Sequence, residues 1–221
     1  MYVLHYFPDT ASLAVRMVLC ELGVPHEARL IDRESGVLAG PEYRALHPLG
    51  KIPAIETPDG PMFETAAILL YLADKHAALA PAPDHPDRAA FLKWLFFTST
   101  NVHPTLMQLF YPERVAGDGC VDAVLDHAGG QMRILLTALN TMIAAQHPAW
   151  LSPDQPGILG YYIGMLVRWL ASYGPGHPSY FRSAEFPALH AVVLALENRP
   201  AARSVADDEA LGPTIFTNPA V

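Results

Sequence analysis

The stretch Lys51–His76, "KIPAIETPDGPMFETAAILLYLADKH", decides how the chain is read. Two short apolar runs flank Pro58-Asp59-Gly60, a turn tripeptide, so residues 52–57 and 61–63 read as a hairpin. Residues 65–76 then read as an apolar helix. Pro53 sits awkwardly at the head of the first run, because proline donates no ladder hydrogen bond. Either it is an ordinary edge-strand proline, or the Ile52–Pro53 bond is cis in a tight corner. The corner would leave the N–H and C=O of Ile52 free to pair with an extended, peptide-like ligand.

Glu64-Thr65 stands at the start of the helix, where unpaired N–H groups and the positive end of the dipole collect. A ligand carboxylate suits that place, with the Thr65 hydroxyl as a second donor and Glu64 facing a ligand ammonium. The plainer alternative is a helix start with threonine as its cap.

Upstream, residues 2–7 ("YVLHYF") read as a strand ended by Pro8. Asp9 or Thr10 would cap the next helix, whose apolar positions Leu13, Met17, Cys20 and Val24 keep helical spacing up to a stop at Gly23. His26–Ile31 reads as a second strand and residues 41–47 as a short helix stopped by Pro48. The order β-α-β-α-β-β-α implies a mixed sheet carrying helices on its faces. Tyr6 ends the first strand and Ser12 lies in the first helical turn. A hydroxyl there would stabilise an anion or a thiolate; the alternatives are core packing for Tyr6 and a helix start for Ser12.

Downstream, "ALAPAPDHP" (78–86) is a proline-rich linker. Residues 87–115, 121–146, 157–172 and 186–197 are long apolar-periodic segments without a convincing strand. The expectation is an α/β domain over 1–77 and an all-helical domain over 87–221.

Composition narrows the function. A net charge of -8, with no basic stripe, argues against nucleic acid. The two cysteines form no framework and read as reduced thiols. "MYVLHYFPD" has neither a basic nor a long apolar signal region, and the apolar run 66–73 is too short to cross a bilayer. The ten histidines show no metal-ligand spacing.

Three stretches, "LHYFPDTASLAVRMVLCELGVPHE", "HPLGKIPAIETPDGPMFETAAILLYLADKH" and "FPALHAVVLALENRPAARSV", resemble the glutathione S-transferase family, in its bacterial beta-like or a related class. The resemblance runs over nearly the whole chain. It implies a thioredoxin-like βαβ-ββα domain followed by an all-α domain, cytoplasmic location and homodimers. It implies glutathione as co-substrate without a metal, and a detoxifying transfer of its thiolate to a small hydrophobic electrophile. Ile52 and Pro53 would grip the cysteinyl part, Glu64 and Thr65 the γ-glutamyl head, and Lys51 the glycyl carboxylate.

By the resemblance the thiolate donor would be Ser12, second Tyr6, or else backbone N–H groups alone; Ala11 occupies the position of the beta-like cysteine. His103 resembles a histidine that faces the site, and Phe7, Phe97, Met107, Phe110 and Tyr111 are candidates for the electrophile wall. Two departures from the family stand out. Thr65 replaces the usual serine, and in "PGILGYYIG" Gly157 and Gly160 replace both capping side chains, which predicts a locally weaker helix. Two other readings remain: a non-catalytic glutathione-binding or interaction module, and a specialised isomerase, dehalogenase or ether-cleaving enzyme.

Overall fold

The computed structural model describes residues 1–219. The first elements are β1 (Tyr2–Tyr6), α1 (Ser12–Glu21), β2 (His26–Leu30), α2 (Pro41–Leu46), β3 (Ala54–Thr57), β4 (Gly60–Phe63) and α3 (Thr65–His76). The expected order and the start of α3 both hold. The sheet runs β2-β1-β3-β4, with β1 parallel to β2 and antiparallel to β3. Alternate residues of β3 serve opposite faces. Ile55 joins the main core with α1 and α3, whereas Ala54 joins Ile31 of the β2 exit and Tyr43 of α2. This is the thioredoxin-like arrangement, with helices on both faces of a mixed sheet.

The remainder is helical: α4 (Arg88–Phe97), α5 (His103–Phe110), α6 (Glu113–Ala116), α7 (Val121–Gln146), α8 (Gly157–Leu170), α9 (Pro187–Glu197) and α10 (Pro200–Asp208). One apolar core runs through both halves. At its centre α1 is buried from Ser12 to Leu19, packed against α3, α8 and α10. A helix covered on all sides carries apolar residues nearly all round; its one buried charge, Arg16, is neutralised by Asp208 and Glu209 at 2.7 and 3.0 Å.

Four expectations are corrected. First, neither Asp9 nor Thr10 caps α1, which starts after Ala11 without a side-chain cap. Their side chains have stronger partners, described below. The stop at Gly23 does hold: its N–H reaches the Cys20 carbonyl at 3.0 Å and that of Val24 reaches Leu19 at 3.3 Å, the paired bonds of a Schellman ending.

Second, residues 87–115 are not one helix. A π-helical turn, Thr98–Val102, separates α4 from α5. Pro104, the second residue of α5, has no N–H to return to the preceding turn. The Thr98, Thr100 and Asn101 side chains bond back to the carbonyls of Trp94, Phe96 and Phe97.

Third, Gly157 at the start of α8 does more than leave out a capping side chain. Gly157 has φ +61°, and a Cβ there would lie 2.7 Å from the Leu79 carbonyl oxygen and 2.8 Å from that of Trp150. This close approach lets Ile158 N–H bond the Leu79 carbonyl at 2.9 Å. The start of α8 has no side-chain cap, as expected, and the linker's backbone supplies part of the cap instead.

Fourth, α10 escaped the periodicity reading because its core side is built of small residues, Ala202, Val205 and Ala206. The tail after it is anchored. Ile215 and Phe216 are buried, and the Glu197 carboxylate accepts the N–H groups of Phe216 and Thr217 at 2.7 and 2.9 Å.

Candidate functional site

Lys51, Ile52, Pro53, Glu64 and Thr65 gather at one end of β3 and at the start of α3. The Ile52–Pro53 bond is cis. Strand pairing of β3 begins only at Ala54, opposite Phe63, so Ile52 lies outside the ladder. The segment is fixed from beneath. Tyr43 is buried; its hydroxyl donates to the Lys51 carbonyl at 2.9 Å, and burial pushes its pKa up to about 12. Gly50 lies against the chain as well, since a Cβ there would sit 2.2 Å from the Leu38 carbonyl oxygen.

Glu64 is exposed and takes φ +71°, a conformation that non-glycine residues rarely adopt. Its carbonyl accepts from Ile68 N–H at 2.9 Å, while Thr65 is buried in the first turn. The earlier N–H groups of α3 therefore have no partner within the helix. His47, which sequence reasoning passed over, packs its ring 4.8 Å from that of Phe63. Burial lowers its pKa, Glu64 opposes the shift and Lys51 adds to it.

The helical half meets this surface at His103 and Tyr162, whose Nδ1 and hydroxyl are 2.8 Å apart. The His103 pKa falls to about 4, first through burial and then through the positive charge of Lys51. That of Tyr162 rises, first through burial and then through Glu64. The charges of Lys51 and Glu64 are thus felt at a neutral imidazole–phenol pair on α5 and α8.

The β1–α1 loop differs from expectation. Ser12 is fully buried. Its hydroxyl lies 2.8 Å from Thr10 Oγ1, donates to the Phe7 carbonyl at 3.2 Å and accepts from Phe7 N–H at 3.4 Å. Thr10, half-buried, also reaches the Phe7 carbonyl, at 2.8 Å. The two hydroxyls form one unit with Thr10 outermost, a role the sequence concealed because threonine before a helix reads as a cap. Tyr6 is half-buried with the Arg16 guanidinium 4.6 Å above its ring, toward the carboxylates that end α10.

The proposed wall is only partly assembled. Phe110 lies 6.3 Å from Tyr111, 6.2 Å from Trp169 and 5.4 Å from Tyr173, and Trp169 lies 5.8 Å from His103. Met107 is half-buried one turn before Tyr111. Phe97 packs with Trp94 instead, at 5.0 Å, and Phe7 lies under Arg33, at 5.1 Å. A separate cavity of about 430 Å³ lies between the linker and the start of α8, lined by Leu79, Trp150, Gly157 and Arg199 among others. Among the described residues, no group of three or more His, Cys, Asp or Glu side chains is placed to hold a metal ion, and no helix is long and apolar enough to cross a membrane.

The family described as "Glutathione S-transferase, N-terminal domain" matches residues 11–75. Glutathione S-transferase GST-4.5 of Xanthomonas campestris is 27% identical over 77% of this chain and 83% of its own length. Elongation factor 1-gamma 3 of Oryza sativa is 28% identical over 76% of this chain but only 39% of its own length. A solved sphingomonad glutathione S-transferase complexed with glutathione is 28% identical, covers 95% of this chain and 100% of its own, and superposes with a TM-score of 0.74. Residues 11–75 thus match the glutathione S-transferase N-terminal domain, and over most of its length the chain is similar to glutathione S-transferases.

Proposed function

We propose that this protein binds glutathione and transfers its thiolate to a small hydrophobic electrophile. The observation that carries this reading is the unpaired Ile52 backbone beside the open first turn of α3. An extended tripeptide laid along Ile52 would meet the α3 N–H groups and Thr65 with its γ-glutamyl carboxylate. It would meet Glu64 with its ammonium and Lys51 with its glycyl carboxylate. The sulfur would then lie at the β1–α1 loop, where Thr10 and Ser12 act as one hydrogen-bonding unit and stabilise the thiolate; Tyr6 is the second candidate donor. The electrophile would sit against His103, Phe110 and Tyr111, with Met107 and Phe7 at its edges. Residues 1–77 form the glutathione domain in this reading, and 87–221 supply the electrophile side.

A homodimer fits the exposed Phe63 and Phe96 and the open face of α3 around Ala67, Leu70 and Tyr71. Cytoplasmic detoxification is the matching role. Burial of the Ser12 hydroxyl favours a second reading, a glutathione-binding module without turnover. The experiment is a turnover assay over a panel of aromatic, epoxide and peroxide electrophiles, with Thr10→Val, Ser12→Ala and Tyr6→Phe beside wild type. The transferase reading expects turnover that falls in Thr10→Val and Ser12→Ala. Binding of glutathione without any turnover supports the module.

A further inference from the structure

The two hydroxyls offered first to the sulfur, Thr10 and Ser12, end the segment from Phe7 to Ser12, and the middle of that segment is held from far away. Asp9 takes φ +52°. Its carboxylate accepts Arg168 Nε and Nη2, both at 2.9 Å, and Trp169 Nε1 at 3.1 Å. Its N–H donates to the Glu209 carboxylate at 3.0 Å. Arg168 is itself buried, and its remaining nitrogen donates to the carbonyls of Ile215 and Leu211 at 3.1 and 3.4 Å. Glu209 also receives Arg16 at 3.0 Å, and Arg16 reaches Asp208 at 2.7 Å. The loop is thus clamped by α8, the end of α10 and the anchored tail.

Three donors engage the two oxygens of Asp9. Its charge is cancelled in place, so a neighbouring thiolate is spared the repulsion of a bare carboxylate. A fork-shaped pair also fixes direction, which a point charge does not. We propose that Arg168 and Trp169, acting through Asp9, are positioning residues that hold the β1–α1 loop in the conformation that stabilises bound glutathione thiolate. This rests on the reading that the glutathione sulfur lies at that loop.

The test uses two variants of the full chain that leave the local charge unchanged. Arg168→Lys keeps the cation and loses the fork; Trp169→Phe keeps an aromatic ring and loses one donor. Ultraviolet difference spectra across pH report ionisation of the bound thiol, and calorimetry reports glutathione affinity. The expected result is affinity close to wild type, because the glutamyl end is held at Glu64 and Thr65, with a bound thiol that titrates about one pH unit higher. A merely structural role would lower the unfolding temperature and leave that titration unmoved, and this result would overturn the proposal. So would a wild-type complex whose thiol titrates like free glutathione. If Arg168→Lys does not fold, Trp169→Phe decides alone. If wild type binds no glutathione, the proposed function falls and takes this inference with it; if wild type binds and ionises glutathione and the variants match it, only this inference falls.

Discussion

Asp9 and Arg168 lie 159 residues apart in sequence and meet in a two-pronged ion pair, 2.9 Å at each contact. One partner is in the loop before α1 and the other in a helix whose fourteen residues are all buried. The pair ties the proposed chemistry of the first half to the packing of the second.

Removing the anionic partner should therefore be costly. Asp9→Ala leaves Arg168 buried with only two backbone carbonyls. Loss of one member of a buried pair typically costs about 3–5 kcal/mol. Denaturant unfolding of wild type and variant measures it, and a loss under about 1 kcal/mol would show that the pair contributes little.

Local rules failed at this pair and worked at α3. Pro58-Asp59-Gly60 marks a turn through its own chemistry, so the hairpin and the start of α3 at Thr65 were legible. Glu64 and Thr65 then followed as candidates. Asp9 also had a sound local reading, as a helix cap, but a buried guanidinium outcompetes an exposed N–H for a carboxylate. That competitor is invisible until the chain folds. Ser12 was legible as a hydroxyl at a helix start; its engagement with Thr10 and Phe7 was not, because it depends on how the loop closes. Gly157 of α8 was misread for a similar reason, since the need for glycine there arises partly from Leu79 in a distant linker.

Gly157→Ala tests that last point. The added methyl would meet two backbone carbonyl oxygens at 2.7 and 2.8 Å, in a left-handed conformation that alanine disfavours. Destabilisation above about 1 kcal/mol is expected in denaturant unfolding. Neutral or improved stability would mean that the linker gives way cheaply.

The tail should behave as part of the core. Phe216 is fully buried, and the space above Gly164 is filled by its ring. Phe216→Ala should cost about 3–5 kcal/mol, read as a lowered denaturant midpoint. A free tail would leave the midpoint unchanged.

Stability should also depend on pH through His103. Its folded value near 4 lies below the 6.5 of an unperturbed imidazole, so the unfolded chain binds the proton first. The contribution is complete above about pH 6.5 and is lost as pH falls toward 4, by up to about 3 kcal/mol. In His103→Gln this part of the acid loss should disappear. Parallel pH curves for the two proteins would contradict the burial of a neutral imidazole.

The central claim is that glutathione lies along Ile52 with its γ-glutamyl head at Glu64 and Thr65. Calorimetric titration of glutathione into wild type and into Glu64→Gln/Thr65→Val tests it most directly. The account predicts saturable heat with one site per chain in wild type, and affinity at least about tenfold weaker in the double variant, the scale of losing two hydrogen bonds, one of them to a charge. No heat at millimolar glutathione, or equal affinity in the two proteins, would contradict it.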